Sequence, residues 1–421
     1  MRYNLNMRIL GIETSCDETA VSLIEADGSF GTDFRFTSLG NALSSQSAIH
    51  EKYGGVFPNV AKREHAKNLV PMLTLCLKNA GAMRERYGDI SPYRDKLRKL
   101  LEREPELFEQ LLPFLEAHGN PDVDAIAVTA GPGLEPCLWV GVNFAKALSL
   151  AWGIPIVAVN HLEGHIVMSM VDIRGTTTEH SDILQNVGVS GKLHDIGFPV
   201  LSLLISGGNT QLVLSRAPLQ YEVIGRTRDD AAGEAFDKVA RMLSLPYPGG
   251  PHISRLADMA RQSSEVGPHW MKLPRPMLHA SSARGSGEPA EENLDFSFSG
   301  LKTAVLRIVE AHKPLSDDMK KAIAREFEDA VADVLVGKTL RAVEEYGIHT
   351  VVTGGGVSAN EYIRETLRDR LRVAGCQLLV CPPEFSTDNA LMIALAGYFH
   401  ANADEYADVS LLRAEGALSL S

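Results

Sequence analysis

One order of elements occurs twice in this chain, and that repetition limits the available folds more than any other feature. "RILGIETS" and "TAVSLIEA" read as two strands joined by the polar turn "CDE". "PVLSLLISGGNTQLVLSR" gives the same strand, tight turn and strand. "DAIAVTAGPG" is an apolar strand running into glycines, "CLWVGVNFAKALSLAWG" a mostly apolar helix closed by Gly153, and "IPIVAVN" a further strand. "TVVTGGGVSANEYIRETLRDRLRVAG" followed by "CQLLVCP" repeats that series. Residues 9–24 thus echo 201–215, and residues 125–159 echo 350–381. Strands alternating with helices imply mostly parallel sheets covered by helices, with an antiparallel edge from each opening hairpin. An internal duplication of α/β lobes is expected, with a central cleft, a usual place for a ligand.

The 421 residues suffice for two or three domains with sizeable cores. Three stretches read as insertions: 82–120 as one or two exposed charged helices, 171–197 as a polar loop, and 263–293 as a mobile segment. Five dispersed cysteines without a C-x-x-C pair point to a reducing compartment rather than a disulfide framework. The N-terminus lacks the apolar core of a signal peptide, and no apolar run approaches the ~18 residues of a membrane span. A cytoplasmic enzyme is the expectation. The net charge of −12 gives no general attraction to phosphate backbones, so a nucleic-acid substrate requires a local basic patch or a partner. Arg226, Arg228, Lys302 and the basic residues of "MKLPRPM" are the candidates, although each also reads as ordinary solvated surface.

"VNHLEGHIVMSM" places His161 and His165 four apart, on one face if helical. Two imidazoles are only two ligands, and a catalytic metal usually wants a third protein ligand and an open position. Glu163 falls on a different face. In "FSTDNALMIALAGYF", Asp388 opens an apolar helix; Ser386 and Thr387 are equally able to cap it, which frees Asp388 to point elsewhere. The turn Ser206-Gly207-Gly208 reads either as a plain hairpin or as amides offered to an anion. In "VVTGGGVSAN", three glycines precede Ser358, a candidate helix cap, and the same two readings apply. The acidic run around Asp229, Asp230, Glu234 and Asp237 suits a helix N-terminus or ribose hydroxyls. "IETSCDET" puts Glu13, Asp17 and Glu18 on the first hairpin.

Together, "GIETSCDETAVSL", "HAKNLVPML", "GPGL", "VNHLEGH", "LLISGGNTQLV", "DDAAGEAFDKVARMLSLPYPGGP", "FSFSGLKTAV", "GGGVSAN" and "STDNALMIA" resemble the tRNA threonylcarbamoyl transferase family, TsaD in bacteria, formerly called O-sialoglycoprotein endopeptidase. The resemblance implies a duplicated actin-like, sugar-kinase-like (ribonuclease H-type) α/β fold. It divides the chain into an N-terminal lobe over 7–159, a C-terminal lobe over 160–395, and a segment 396–421 packing on the first lobe. It implies His161, His165 and Asp388 as ligands to iron or zinc. It also implies Leu204, Ile205, Ser206, Gly207, Gly208, Asp237, Gly250 and Asn360 as the residues that hold the substrate adenylate. Glu13 is expected near the reacting centre. The implied reaction carries the threonylcarbamoyl group from threonylcarbamoyl-adenylate to the exocyclic amine of the adenosine beside the anticodon, in tRNAs reading codons that begin with A, with AMP leaving. A TsaB-like paralogue and a TsaE-like ATPase are the implied partners, with a TsaC-like enzyme making the intermediate.

The chain departs from the family pattern at Asn209, where His is usual, and at Ala390, where Gly is usual; Glu135, Pro136 and Trp139 replace smaller residues. Two other enzyme classes fit parts of the pattern. A metalloprotease would use His-x-x-x-His with a carboxylate, but the H-E-x-x-H glutamate is missing. An actin-like ATPase or kinase would share the fold and leave the histidine pair without a task.

Overall fold

A computed structural model describes residues 6–31, 33–86, 89–175, 178–180, 183–185, 188–263, 271–278 and 293–420. In chain order the first strands are β1 (Met7–Glu13), β2 (Glu18–Asp27) and β3 (Arg35–Ser45). Helices α1 (Ser47–Glu51), α2 (Pro58–Asn79), α3 (Ser91–Leu100) and α4 (Pro105–Ala117) follow. Then come β4 (Ala125–Gly131), α5 (Glu135–Trp152), β5 (Ile156–Asn160) and α6 (His161–Ser169). Short strands β6 (Val171–Arg174), β7 (Thr178–His180), β8 (Ile183–Gln185) and β9 (Ser190–Leu193) lead to β10 (Val200–Ile205), β11 (Thr210–Ser215) and β12 (Glu222–Arg226). Next are α7 (Ala232–Met242), α8 (Gly249–Gln262), α9 (Ser299–Ala311) and α10 (Asp317–Tyr346). The chain closes with β13 (Thr350–Gly354), α11 (Glu361–Val373), β14 (Gln377–Val380) and α12 (Ala390–Asn402).

These elements form two compact α/β units. The first gathers Met1–Ile49, Val56–Asp195 and Thr387–Leu420; the second gathers His50–Gly55 and Ile196–Ser386. The division therefore falls after Asp195 and again at Ser386, whereas the sequence suggested a boundary at residue 160. Helix α6 accounts for the difference. It follows β5 directly and is buried along its whole length, packed on α12. Strand β9 likewise pairs with β3, which keeps this stretch with the first sheet.

The first unit's sheet runs β5-β4-β1-β2-β3-β8-β7, with β9 bridging β3 and β6. Strands β1, β4 and β5 are parallel, and β2 returns antiparallel to β1. Every residue of β4 is buried, as expected for a parallel strand covered on both faces. Helix α12 lies on one face of this sheet through small residues. A Cβ on Gly11 would stand 2.3 Å from the Ala390 carbonyl oxygen, and one on Gly397 would stand 2.3 Å from Ala127 Cβ. The second unit repeats the plan with the order β12-β11-β10-β13-β14, where β10, β13 and β14 are parallel.

Two of the three expected insertions are built differently from the sequence reading. The stretch 82–120 forms α3 and α4, as expected, but it is not solvated decoration. Leu107, Leu111, Leu112, Phe114 and Leu115 of α4 are buried in the core with α2 and α5. Their spacing lays one apolar stripe beneath the charges. The stretch 171–197 is not a plain loop, since it holds β6 to β9. Of 263–293, Met271 and Leu273 are buried; most of the rest lies outside the described residues. Among the described residues no helix is long and apolar enough to cross a membrane.

Candidate metal centre and nucleotide turns

In the first unit three parallel strands end side by side, and their last residues supply the site. Strand β1 ends at Glu13, β4 carries Thr129 near its end, and β5 runs through Asn160 into α6. Asn160 caps α6, its side chain accepting from the Leu162 amide at 2.9 Å. One helical turn then brings His161 and His165 together, with ring centroids 4.8 Å apart and planes nearly perpendicular. Both are buried.

Asp388 joins them from far along the chain. Its Oδ1 stands 3.4 Å from His161 Nε2 and 3.2 Å from His165 Nε2. One donor atom from each of the three residues lies within 4.8 Å of the others. Two donors about 2.1 Å from a common ion stand roughly 3.0–3.4 Å apart in octahedral or tetrahedral geometry, as Asp388 does from each imidazole; the widest pair of the set must draw in slightly to share one divalent cation. Asp388 is not the helix cap. That task falls to Asn389, whose Oδ1 accepts from the Met392 amide at 3.0 Å, rather than to Ser386 or Thr387 as the sequence suggested.

Glu13 completes the centre from behind. It is fully buried. Its Oε2 accepts from Thr129 Oγ1 at 2.5 Å and faces His161 Nδ1 at 3.3 Å; its Oε1 accepts from the Ser15 amide at 2.5 Å. A carboxylate on Nδ1 keeps the proton there and leaves Nε2 free to act as a ligand. Glu13 is therefore placed to orient His161 rather than to act at the reacting atoms. Thr129 and Ser15 were not singled out in the sequence; a lone hydroxyl closing the apolar run "AIAVT" was the available signal. Glu163 is turned away and pairs with His400 Nε2 at 2.9 Å.

The charges in this cluster are coupled. Burial alone would push the His161 imidazole down, but the Asp388 and Glu13 carboxylates prevail and hold it well above its ordinary value. Burial pushes His165 down despite its hydrogen bond to Asp388. Burial opposes the charged form of Asp388, yet His161 and both histidine hydrogen bonds hold it well below the usual carboxylate range. A cation at this cluster would compete with the charged form of His161.

The remaining candidates all lie in the second unit. The turn after β10 is closed by Ser206 N–H donating to the Asn209 carbonyl (2.8 Å) and by Asn209 N–H donating to Ser206 Oγ (3.1 Å). Both bonds use the Asn209 backbone; its side chain, which stands where the family usually has His, accepts from Gln211 Nε2 at 3.4 Å. A Cβ on Gly207 or Gly208 would meet nothing within 4 Å, so the space above these amides is open. Helix α7 starts directly against this turn, with Gly233 N–H donating to the Ser206 carbonyl at 3.1 Å. Gly355, at φ +87, packs on the carbonyl of Ile205. Leu204 aligns with Gly354 in the parallel pairing of β10 and β13. The structure thus brings Leu204–Gly208 together with the glycine turn after β13, at the carboxyl ends of neighbouring parallel strands, where α/β sheets bind ligands.

Asp237 Oδ1 accepts from the Gly249 amide at 2.7 Å and so fixes the start of α8, leaving Gly250 with open space beside it. Asn360, not Ser358, caps α11, accepting from the Ile363 amide at 2.9 Å. Two of the proposed basic contacts are committed elsewhere: Arg228 pairs with Asp295, and Arg275 pairs with Glu326 and Asp333.

The chain is 39% identical over 407 residues to the tRNA N6-adenosine threonylcarbamoyltransferase of Ralstonia pickettii (strain 12J), covering 94% of this chain and 92% of that one. It is 37% identical over 430 residues to the protein of the same name from Thermomicrobium roseum, covering 96% and 95%. A crystal structure of full-length HypF in a phosphate- and nucleotide-bound form shares the fold at 13% identity and a TM-score of 0.51, over 96% of this chain and 47% of HypF. The profile of TsaD, tRNA N6-adenosine threonylcarbamoyltransferase, matches residues 37–91, 82–180 and 182–395, and with relatives this similar along nearly their whole length the chain belongs to that family of transferases.

Proposed function

We propose that this enzyme takes the threonylcarbamoyl group from threonylcarbamoyl-adenylate and places it on N6 of the adenosine beside the anticodon, in tRNAs reading codons that begin with A. The amine attacks the carbamoyl carbonyl, the bond from that carbon to the phosphate oxygen breaks, and AMP leaves. His161, His165 and Asp388 hold one divalent cation, zinc or ferrous iron, matching two neutral nitrogens and one anionic oxygen. When bound, it supplies Lewis acidity and a template for the threonylcarbamoyl group.

The chain's own residues do the rest. Glu13 keeps His161 in the tautomer that offers Nε2. The amides of Gly207 and Gly208 meet the adenylate phosphate and stabilise the charge that develops as AMP departs. Asp237, Gly250 and Asn360 frame the nucleoside. An aromatic amine is weakly basic, so holding it against the carbonyl contributes more than a dedicated base. A cytoplasmic location follows from the tRNA substrate. A TsaB-like paralogue and a TsaE-like ATPase are the proposed partners, and they offer a source of the basic surface that a chain of net charge −12 lacks.

The observation that carries this reading is the meeting of His161, His165 and Asp388 in a chain of this family. The test is incorporation of labelled threonylcarbamoyl into unmodified tRNA by the chain with its partners, before and after chelation. Label should enter the tRNA only with metal present. Full incorporation by the chelated enzyme would overturn the metal's part, and no incorporation under any condition would overturn the reaction.

A further inference from the structure

Asn360 is the substrate contact carried over from the family, yet its side chain is already spoken for. Its Oδ1 caps α11, and both amide hydrogens are spent inside the unit: one on Ser254 Oγ of α8 at 2.8 Å, the other on Glu328 Oε1 of α10 at 2.7 Å. A side chain with no donor left is poorly placed to grip a ligand.

Glu328 is fully buried, and a buried carboxylate is costly unless well paired. Its second oxygen accepts from the Arg261 guanidinium at 2.6 Å. Arg261 is itself held by Asp329 at 2.6 Å and lies over the Tyr362 ring, 3.4 Å from its centroid. One cation, one buried anion and one amide thus tie α8, α10 and the first turn of α11 together. A carboxylate suits this place because it accepts from both donors at once; a neutral amide cannot. Asn360 ends the tight turn over Gly356–Ala359, whose preceding residue Gly355 packs against Ile205, so any shift of Asn360 tilts the glycine amides.

We propose that Glu328, oriented by Arg261, is a positioning residue: it fixes Asn360, and the backbone of the glycine turn, not the Asn360 side chain, meets the adenylate. This rests on the reading of the glycine turns as the nucleotide site.

The probe is AMP, titrated calorimetrically into the full-length chain, together with the KM for threonylcarbamoyl-adenylate. Glu328→Leu removes the acceptor for Asn360 and should weaken AMP binding and raise KM about tenfold, as for a lost hydrogen bond to a charged group, with kcat and metal content near wild type. Glu328→Gln keeps an oxygen for Asn360 but gives up the pairing with Arg261, so its loss should be a few-fold, clearly smaller than that of Glu328→Leu. Equal behaviour of the two variants, whether both unimpaired or both equally impaired, overturns the proposal. If Glu328→Leu does not fold, Arg261→Met, at a partly exposed site, replaces it. That change should weaken AMP binding several-fold, and adding Glu328→Gln should restore it; wild-type affinity in Arg261→Met alone overturns the proposal. Failure of the wild-type chain to bind AMP removes the nucleotide reading, and the proposal with it, whatever the variants do.

Discussion

At the scale of single residues, one carboxylate stands behind one imidazole. Glu13 touches His161 on the nitrogen that faces away from Asp388, so its effect on a cation is indirect. Glu13→Gln keeps the size but gives up the negative charge behind Nδ1–H. The expected result is a 10- to 100-fold weaker metal affinity, of the order seen when ligand-orienting partners are removed, with folding intact. Metal titration with a competing chelator checks it. The proton held on His161 makes a second prediction. Because Asp388 and Glu13 keep this imidazole protonated above its ordinary range, a cation must displace a proton at neutral pH. Apparent metal affinity should therefore rise with pH through neutrality and level off above the His161 pKa. Calorimetry in buffers of different ionisation enthalpy should show about one proton released per ion at neutral pH.

At the scale of elements, the site depends on how closely α12 and α6 approach the sheet and each other. Gly11→Ala places a methyl group against the Ala390 carbonyl, one residue beyond the ligand Asp388's neighbour Asn389. Overpacking of this kind costs about 1–3 kcal/mol, and the displaced helix should also weaken metal binding; thermal melts and metal content read the two effects separately. His400 of α12 ties that helix to α6 through Glu163 and also pairs with Glu405. The Glu163 hydrogen bond is the chief cause of its pKa rising to about 9. A histidine raised from about 6.5 in the unfolded chain contributes stability that is fully present below pH 6.5 and lost as pH climbs towards 9, no more than about 3–4 kcal/mol in all. His400→Gln should flatten stability over that window in denaturant titrations. Much of this level was legible in the sequence. Strands covered on both faces read as apolar runs, and Gly153 and Gly347 close their helices in the left-handed conformation. Other parts were hidden. Strand β3 and β6 to β9 are rich in polar residues and gain their definition from pairing. The charges of α3 and α4 masked their apolar stripe. Ser and Thr compete with Asn for the same caps, and only the backbone decides between them. His161 and His165 share one short motif, but Asp388 lies 223 positions beyond His165, a pairing that spacing alone does not reveal.

At the scale of the molecule, the duplication divides the chemistry. The proposed cation ligands all belong to the first unit, and the glycine turns all belong to the second. Each set stands at the carboxyl ends of parallel strands, the same structural address used twice. The most direct test is a crystal of the full chain grown with zinc or ferrous iron, with diffraction recorded on both sides of the metal's absorption edge. One strong anomalous peak is expected about 2.0–2.2 Å from Nε2 of His161, Nε2 of His165 and a carboxylate oxygen of Asp388. A fully loaded metal seated elsewhere, or an Asp388 carboxylate outside coordination distance of that peak, would contradict it.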